Sequence, residues 1–481
     1  MKSFLKNSWA THKYAIILMS LFTLGILILA LCTHGTADEG DSVNHYLFAR
    51  YAIKYPFHFF HHWAKPFFVL LAFPFAQAGF MGVKLMNVAC TCITVWFSYL
   101  IAHKLAYRWA LSVFVIATFF KLLLIVGLSG LTEPLHAALL AIAIYLVTIR
   151  RFAWATVIIS FLPLVRSEGI CICGVFAVYL ILTAQWRYIP LLAVGHLAYG
   201  IVGYPRFHDL LWVIHNIPYH TGDQHYGHGD WSYYLIQMPG ITGFVNSLLL
   251  AIGLIYTLYG IIRSLLRGAF SSALANKWMI ATLFCAFFAM HTIFWALGLY
   301  GSFGLVRVFI AVASPMILLM VGGIEALTAF TVRIPFRNFA IAGGLLISSL
   351  VLAAGHTQYA YYPDMDFGLH PDQLCDKDAA DYIKKNIQDY RDYDFFFDTA
   401  YLAELLDVDI FGDPHFANND HLPSGGYPHH SIIIWDDFYS DFEHGVHLVT
   451  LRKTPDLKEL KTFQHENPWG GTRTVVVFVK D

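Results

Sequence analysis

The sequence predicts a polytopic α-helical membrane protein of about eleven transmembrane helices, followed by a small soluble α/β domain. Three observations carry this expectation. Of the 481 residues, 57% are hydrophobic and only 13% are charged, and the mean hydropathy is +0.56; this is far from the balance of a soluble domain. Apolar windows of roughly 18 or more residues recur, each long enough as a helix to cross about 30 Å of hydrocarbon. From about residue 357 the sequence turns charged and its apolar runs shorten, which divides the chain into a membrane part, 1–356, and a soluble part, 357–481.

The first window, YAIILMSLFTLGILILALCT, follows Lys2, Lys6 and Lys13 and lacks a small-residue cleavage site, so it reads as a retained span. Further spans are expected near 84–103, 110–128, 134–149, 152–166, 169–185, 190–205, 238–262, 278–299, 305–325 and 339–356. With the N-terminus in the cytoplasm, Lys104, Arg108, Arg150, Arg151, Arg187, Arg263, Arg267, Lys277, Arg333 and Arg337 join the three N-terminal lysines on the inner side. That distribution obeys the positive-inside rule. Asp38, Glu39, Asp41, Glu133, Glu168, Asp209, Asp223 and Asp230 then fall outside, and Glu325 is the exception. An odd number of spans leaves the soluble domain outside as well, as in a multi-pass protein of the cell (inner) membrane. Six of the seven cysteines lie in or at the end of apolar windows, which suits packing and gives no disulfide framework or zinc site.

The soluble part carries 23 acids and 10 bases, a net charge of −13, against +12 for the rest. Its segments DKDAADYIKKNI and AYLAELLDV read as helices, and DYDFFFD, HSIIIWDDF and RTVVVFVKD as strands. So acidic a domain is repelled by anionic headgroups, and no nucleic-acid partner is expected.

Between the first two spans lie about fifty residues, rich in aromatics and punctuated by Pro56, Pro66 and Pro74. They read as two short interfacial helices. In the first, Val43, Leu47 and Tyr51 share a face, and Asp41 or Ser42 is placed to cap it. Asp38 and Glu39 come before the cap. Carboxylates beside apolar helices are costly unless water or a substrate compensates them, so Asp38, Glu39 and Asp41 are candidate functional acids.

The stretch ADEGDSVNHYLFARYAIKYP, followed by HHWAKPFFVLL, resembles the first outer loop of the GT-C membrane glycosyltransferases. The likeness is to the branch holding the protein O-mannosyltransferases and the lipid A aminoarabinose transferase. That pattern has an Asp-Glu pair, a tyrosine shortly after, and a KPP-like or HPP-like segment some 25 residues on; here these are Asp38-Glu39, Tyr46 and HWAKP, with Phe67 where a second proline is common. LTEPLHAALLAIAIYL, PLVRSEG and GLYGSFGLVRVFIAVASP extend the resemblance in order along the chain.

The resemblance implies a polyprenyl-phosphate sugar as donor, a hydroxyl acceptor on a protein, glycan or lipid, and a site at the bilayer surface. A base must take the acceptor proton while phosphate leaves, so one carboxylate can suffice, with inversion at the anomeric carbon. The family gives that role to the aspartate of the pair, here Asp38, with Glu39 and Asp41 behind it. Fixed cations must meet the phosphate: Lys65 first, then Arg307 and Arg166, whose planar forks can also pair with Glu133 or Glu168. Tyr46, Glu133, His62 and Trp63 are candidates to contact substrate, an aromatic face suiting a sugar ring. His225 and His228, in HNIPYHTGDQHYGHGDW, belong to a loop suited to covering it. Histidine with Asp223 or Asp230 can ligate zinc, but no spacing there is a ligand motif, so neither metal nor cofactor is expected. Lys121, within the third expected span, must pair or reach water. Two other readings remain: a secondary transporter working through embedded ionisable groups, and a non-catalytic envelope assembly protein.

Overall fold

The computed structural model describes residues 2–38, 40–218, 226–268, 271–330, 343–344, 367–420, 426–467 and 471–480. The chain divides into two units. One comprises Met1–Cys32 and Phe48–Tyr362, the other Thr33–Leu47 and Pro363–Asp481.

The first unit is helical. Among its described residues five helices are long and apolar enough to cross a membrane: His12–Cys32, Phe80–Lys104, Phe244–Leu266, Ser272–Leu297 and Val306–Ala329. Pro66–Ala76, Glu133–Thr148, Phe152–Leu164 and Gly169–Leu182 are apolar but shorter. A helix rises only about 1.5 Å per residue, so the shorter ones do not reach the length of a full crossing. Of the eleven spans expected from hydropathy, five are therefore formed as long helices among the described residues.

Two expected spans are interrupted. The 110–128 window becomes helices Ser112–Thr118 and Lys121–Gly127, parted at Phe119 and Phe120. Lys121 thus opens a short helix and does not fall in the middle of a continuous one. The 238–262 window is broken at Gly243, whose φ of +90° parts Tyr233–Thr242 from Phe244–Leu266; glycine adopts that angle without a Cβ clash. The 339–356 window falls outside the described residues, save 343 and 344.

Helix Phe80–Lys104 packs along one face made of small polar groups: Asn87, Thr91, Thr94 and Ser98, all buried. Spaced by three or four positions, they share one side. Their hydroxyls return to their own helix at Asn87, Cys90 and Thr94 carbonyls, so no polar group is left to lipid. Asn87 holds the Ser129 and Leu131 carbonyls at 2.7 and 2.8 Å, and Ser98 meets Ser314 at 2.8 Å. Elsewhere Gly253 and Gly323 let helices Phe244–Leu266 and Ala313–Phe330 touch backbone to backbone, since a Cβ on either would collide with a carbonyl of the other helix.

The second unit holds a five-stranded sheet: β1 Asp394–Phe396, β2 Phe416–Ala417, β3 Ser431–Asp436, β4 Lys458–Glu466 and β5 Thr472–Lys480, in the order β2-β1-β3-β5-β4. β1 pairs in parallel with β2 and β3, and β5 runs antiparallel to β3 and β4. Every residue of β3 is buried, as its uninterrupted apolar run requires of a strand covered on both faces. Helices Pro371–Asn386, Ala400–Leu406 and Leu448–Lys453 complete the unit.

Candidate functional site

In the first unit the three cations singled out in the sequence gather around two carboxylates. Lys65 precedes Pro66, the first residue of helix Pro66–Ala76, with φ +67°. A side-chain-bearing residue pays of order 1–3 kcal/mol to stand there, so the surrounding contacts must hold it. Its buried ammonium donates to the Ser167 hydroxyl at 3.0 Å. Ser167 lies in the turn that presents Arg166 and Glu168, tight enough that a Cβ at Gly169 would strike the Leu162 and Pro163 backbone.

Arg166 spreads its fork across both acids. Nη1 lies 2.7 Å from Glu133 Oε1 and donates to Thr132 Oγ1 at 3.2 Å, while Nη2 lies 2.7 Å from Glu168 Oε1. Glu133, the first residue of helix Glu133–Thr148, is fully buried, and Arg307 Nε stands 3.7 Å from the same oxygen. His291 Nε2 lies 3.9 Å from Glu168 Oε1. Burial by itself would push the Glu168 carboxyl up, but the nearby charges, that of Arg166 foremost and that of Lys65 with it, outweigh it and hold the group below the ordinary carboxylate range. The chain of contacts joins three strong bases to two acids.

The remaining first-unit candidates lie as follows. His62 Nε2 donates to the Val213 carbonyl at 2.9 Å, and burial, aided by the Lys65 charge, pushes its pKa down to about 4. Trp63 packs beside Ala52, Ala64 and Val69, with its ring 5.9 Å from that of Phe48. His228 is exposed, next to Gly229, whose N–H donates to the Trp295 carbonyl at 3.1 Å. His225 lies outside the described residues, as does Glu39.

Asp38, Asp41 and Tyr46 belong to the second unit. Asp41 opens helix Asp41–Arg50. The carboxylate found at its start is that of Asp38, whose Oδ1 accepts from the Ser42 N–H at 2.9 Å, one turn earlier than Asp41 or Ser42 themselves. Ala37, at φ +72°, bends the backbone just before it. Tyr46 is wholly buried and donates to Glu404 Oε2 at 2.9 Å.

Sequence reading had no means of finding Ser167, since a serine in a turn carries no distinguishing pattern. His291 was findable: it is an ionisable residue in the otherwise apolar run FFAMHTIFW. In the second unit Asp398, Asp420 and His444 hold ligand-type atoms within 4.8 Å of one another. The Asp398 oxygens there accept from Asn419 N, Ser440 Oγ and His444 Nδ1.

The first unit is a body of apolar helices, five of them long enough to cross a membrane among the described residues, and the second is a small α/β unit. Among solved structures, that of the Archaeoglobus fulgidus oligosaccharyltransferase, in complex with zinc and sulfate, is similar in fold. It matches 96% of this chain and 73% of its own, with a TM-score of 0.52 and 12% sequence identity. At that identity the likeness is one of fold. No family model matches the sequence, and no curated protein does.

Proposed function

We propose that the protein transfers a sugar from a polyprenyl-phosphate-linked donor to an acceptor hydroxyl on the extracytoplasmic side of the membrane, with inversion. The observation that carries this reading is the convergence of Lys65, Arg166 and Arg307 on Glu133 and Glu168 inside a body of apolar helices. The fold likeness to an oligosaccharyltransferase agrees with it. A lipid-linked phosphate needs cations in a greasy surround, and buried cations stabilise a departing phosphate far better than hydrated ones do.

Asp38 is the base. It takes the acceptor proton as the acceptor oxygen bonds to the anomeric carbon, and the bond from that carbon to the phosphate oxygen breaks, its electron pair leaving with the phosphate. Lys65, Arg166 and Arg307 meet the phosphate charge. Glu39 and Asp41 stand as secondary acids. Tyr46, His62, Trp63, Glu133, His225 and His228 are proposed substrate contacts, Tyr46 and Glu133 acting from buried positions that orient their neighbours.

The test is direct. Purified protein is incubated with radiolabelled polyprenyl-phosphate sugars and membrane extract, and the product that gains label is identified. Asp38→Asn keeps an oxygen for the Ser42 N–H, so it is expected to insert and fold normally while transfer falls at least a hundredfold. Undiminished transfer by this variant removes Asp38 as base, and no labelled product from folded wild type with any donor removes the enzyme reading.

A further inference from the structure

Residues 33–47 are held by the C-terminal part of their own unit at points spread along their length. The Gly35 N–H donates to the Phe367 carbonyl at 3.0 Å, and a Cβ at Gly35 would collide with the Phe367 and Gly368 carbonyls. The Thr36 hydroxyl is shared between the Asp38 carbonyl and the Gln373 amide. A Cβ at Gly40 would meet the Tyr439 hydroxyl, which would have to shift, and Tyr46 reaches Glu404. Glycine at 35 is therefore required by the approach of the Phe367 and Gly368 backbone, not by its own backbone angles.

Gln373 is at the centre of these contacts. It is the third residue of helix Pro371–Asn386 and is buried. Its Oε1 accepts from the His370 N–H at 3.3 Å, the return half of a capping box. Its Nε2 donates to Thr36 Oγ1 at 2.9 Å and to the Asp38 carbonyl at 3.4 Å. One amide thus ties a helix of the soluble domain to the backbone of the residue whose carboxylate is assigned as base.

We propose that the acidic C-terminal domain sets the position of the Asp38 carboxylate, and that Gln373 is the positioning residue. The proposal rests on the reading of Asp38 as base. Hydrogen bonds at Gly35, Thr36 and Asp38 fix the backbone on both sides of Ala37, whose φ of +72° is unfavourable for alanine and would relax if they were lost. A carboxylate displaced by about 1 Å from its proton loses on the order of 100-fold in rate.

The informative variant is Gln373→Glu in the full-length protein. Glutamate keeps the acceptor for His370 and so keeps the helix cap, but it has no N–H for the loop and draws the Thr36 hydroxyl away from the Asp38 carbonyl. Thr36→Val cuts the same tie from the loop side without touching the helix. For both variants we expect peptides from 33–47 to exchange amide hydrogen about tenfold faster than wild type, while peptides of β3 and β5 exchange as before. We also expect kcat to fall at least tenfold with the donor KM within twofold. Loop exchange unchanged in both variants overturns the clamp, and faster exchange with wild-type kcat overturns its role in catalysis. The exchange reading stands apart from the base assignment, which the Asp38→Asn transfer assay decides alone.

Discussion

Arg166 bridges two carboxylates with one guanidinium, Nη1 to Glu133 and Nη2 to Glu168, at 2.7 Å each. Lysine carries the same charge but only as a point, so Arg166→Lys cannot hold both acids. Transfer by this variant is expected to drop about tenfold in kcat/KM, measured with the donor varied at saturating acceptor. Glu133→Gln is the harsher change, because it leaves Arg166 and Arg307 buried with one counter-charge removed. Breaking a buried pair from one side costs about 3–5 kcal/mol, so the thermal midpoint in detergent should fall clearly for Glu133→Gln and little for Arg166→Lys. At this scale much of the cluster was legible in the sequence: in a chain with 13% charged residues, Lys65, Glu133, Arg166 and Arg307 stand out among apolar neighbours. The pairing of Arg166 and Arg307 with Glu133 or Glu168 was among the sequence's readings, but not that both arginines meet the same Glu133 oxygen or that Lys65 reaches Ser167, because these contacts join a loop, a turn and two helix starts far apart in sequence. The burial of Tyr46 against Glu404 was equally hidden, since the partner lies 358 positions away.

At the scale of elements, β3 carries a buried acid at its end. Burial first, and the charge of Asp398 second, push Asp436 up to about 7, whereas in the unfolded chain an aspartate titrates near its ordinary value of about 4. Between these two values the folded form holds a proton that the unfolded form has lost. Stability from this group is therefore full below about pH 4 and is lost as pH rises toward 7. Asp376, raised well above its ordinary range by burial and by Asp436, adds in the same direction. The urea midpoint of the sheet, read by pulse-labelled exchange of β3 and β5 peptides, is expected to be higher at pH 5 than at pH 7.5. Asp436→Asn should flatten that slope without abolishing it; a wild-type midpoint that rises with pH would contradict the assignment. β1, β3 and β5 were visible in the sequence as short apolar runs, but β4, KELKTFQHE, is largely exposed and offers no such signal. Hydropathy likewise merged Ser112–Thr118 with Lys121–Gly127, because an average over a window cannot register a break at two phenylalanines.

Over the whole molecule, charge is divided unequally: −13 in residues 357–481 and +12 in the remainder. The proposed chemistry needs Asp38 in external water, and Asp38 shares a unit with residues 363–481. That unit must then be external too, while the arginines between the later spans stay inside. Impermeant maleimide tests both sides at once. In a protein with the exposed Cys32 changed to serine, Lys385→Cys, at an exposed position of helix Pro371–Asn386, should label in intact cells. Arg263→Cys, exposed in the last turn of helix Phe244–Leu266, should label only after the membrane is opened. If Lys385→Cys is silent until lysis, Asp38 faces the cytoplasm with it. A flipped lipid donor could not then reach the base, and the external transfer reaction would have no proton acceptor among the first-loop acids described.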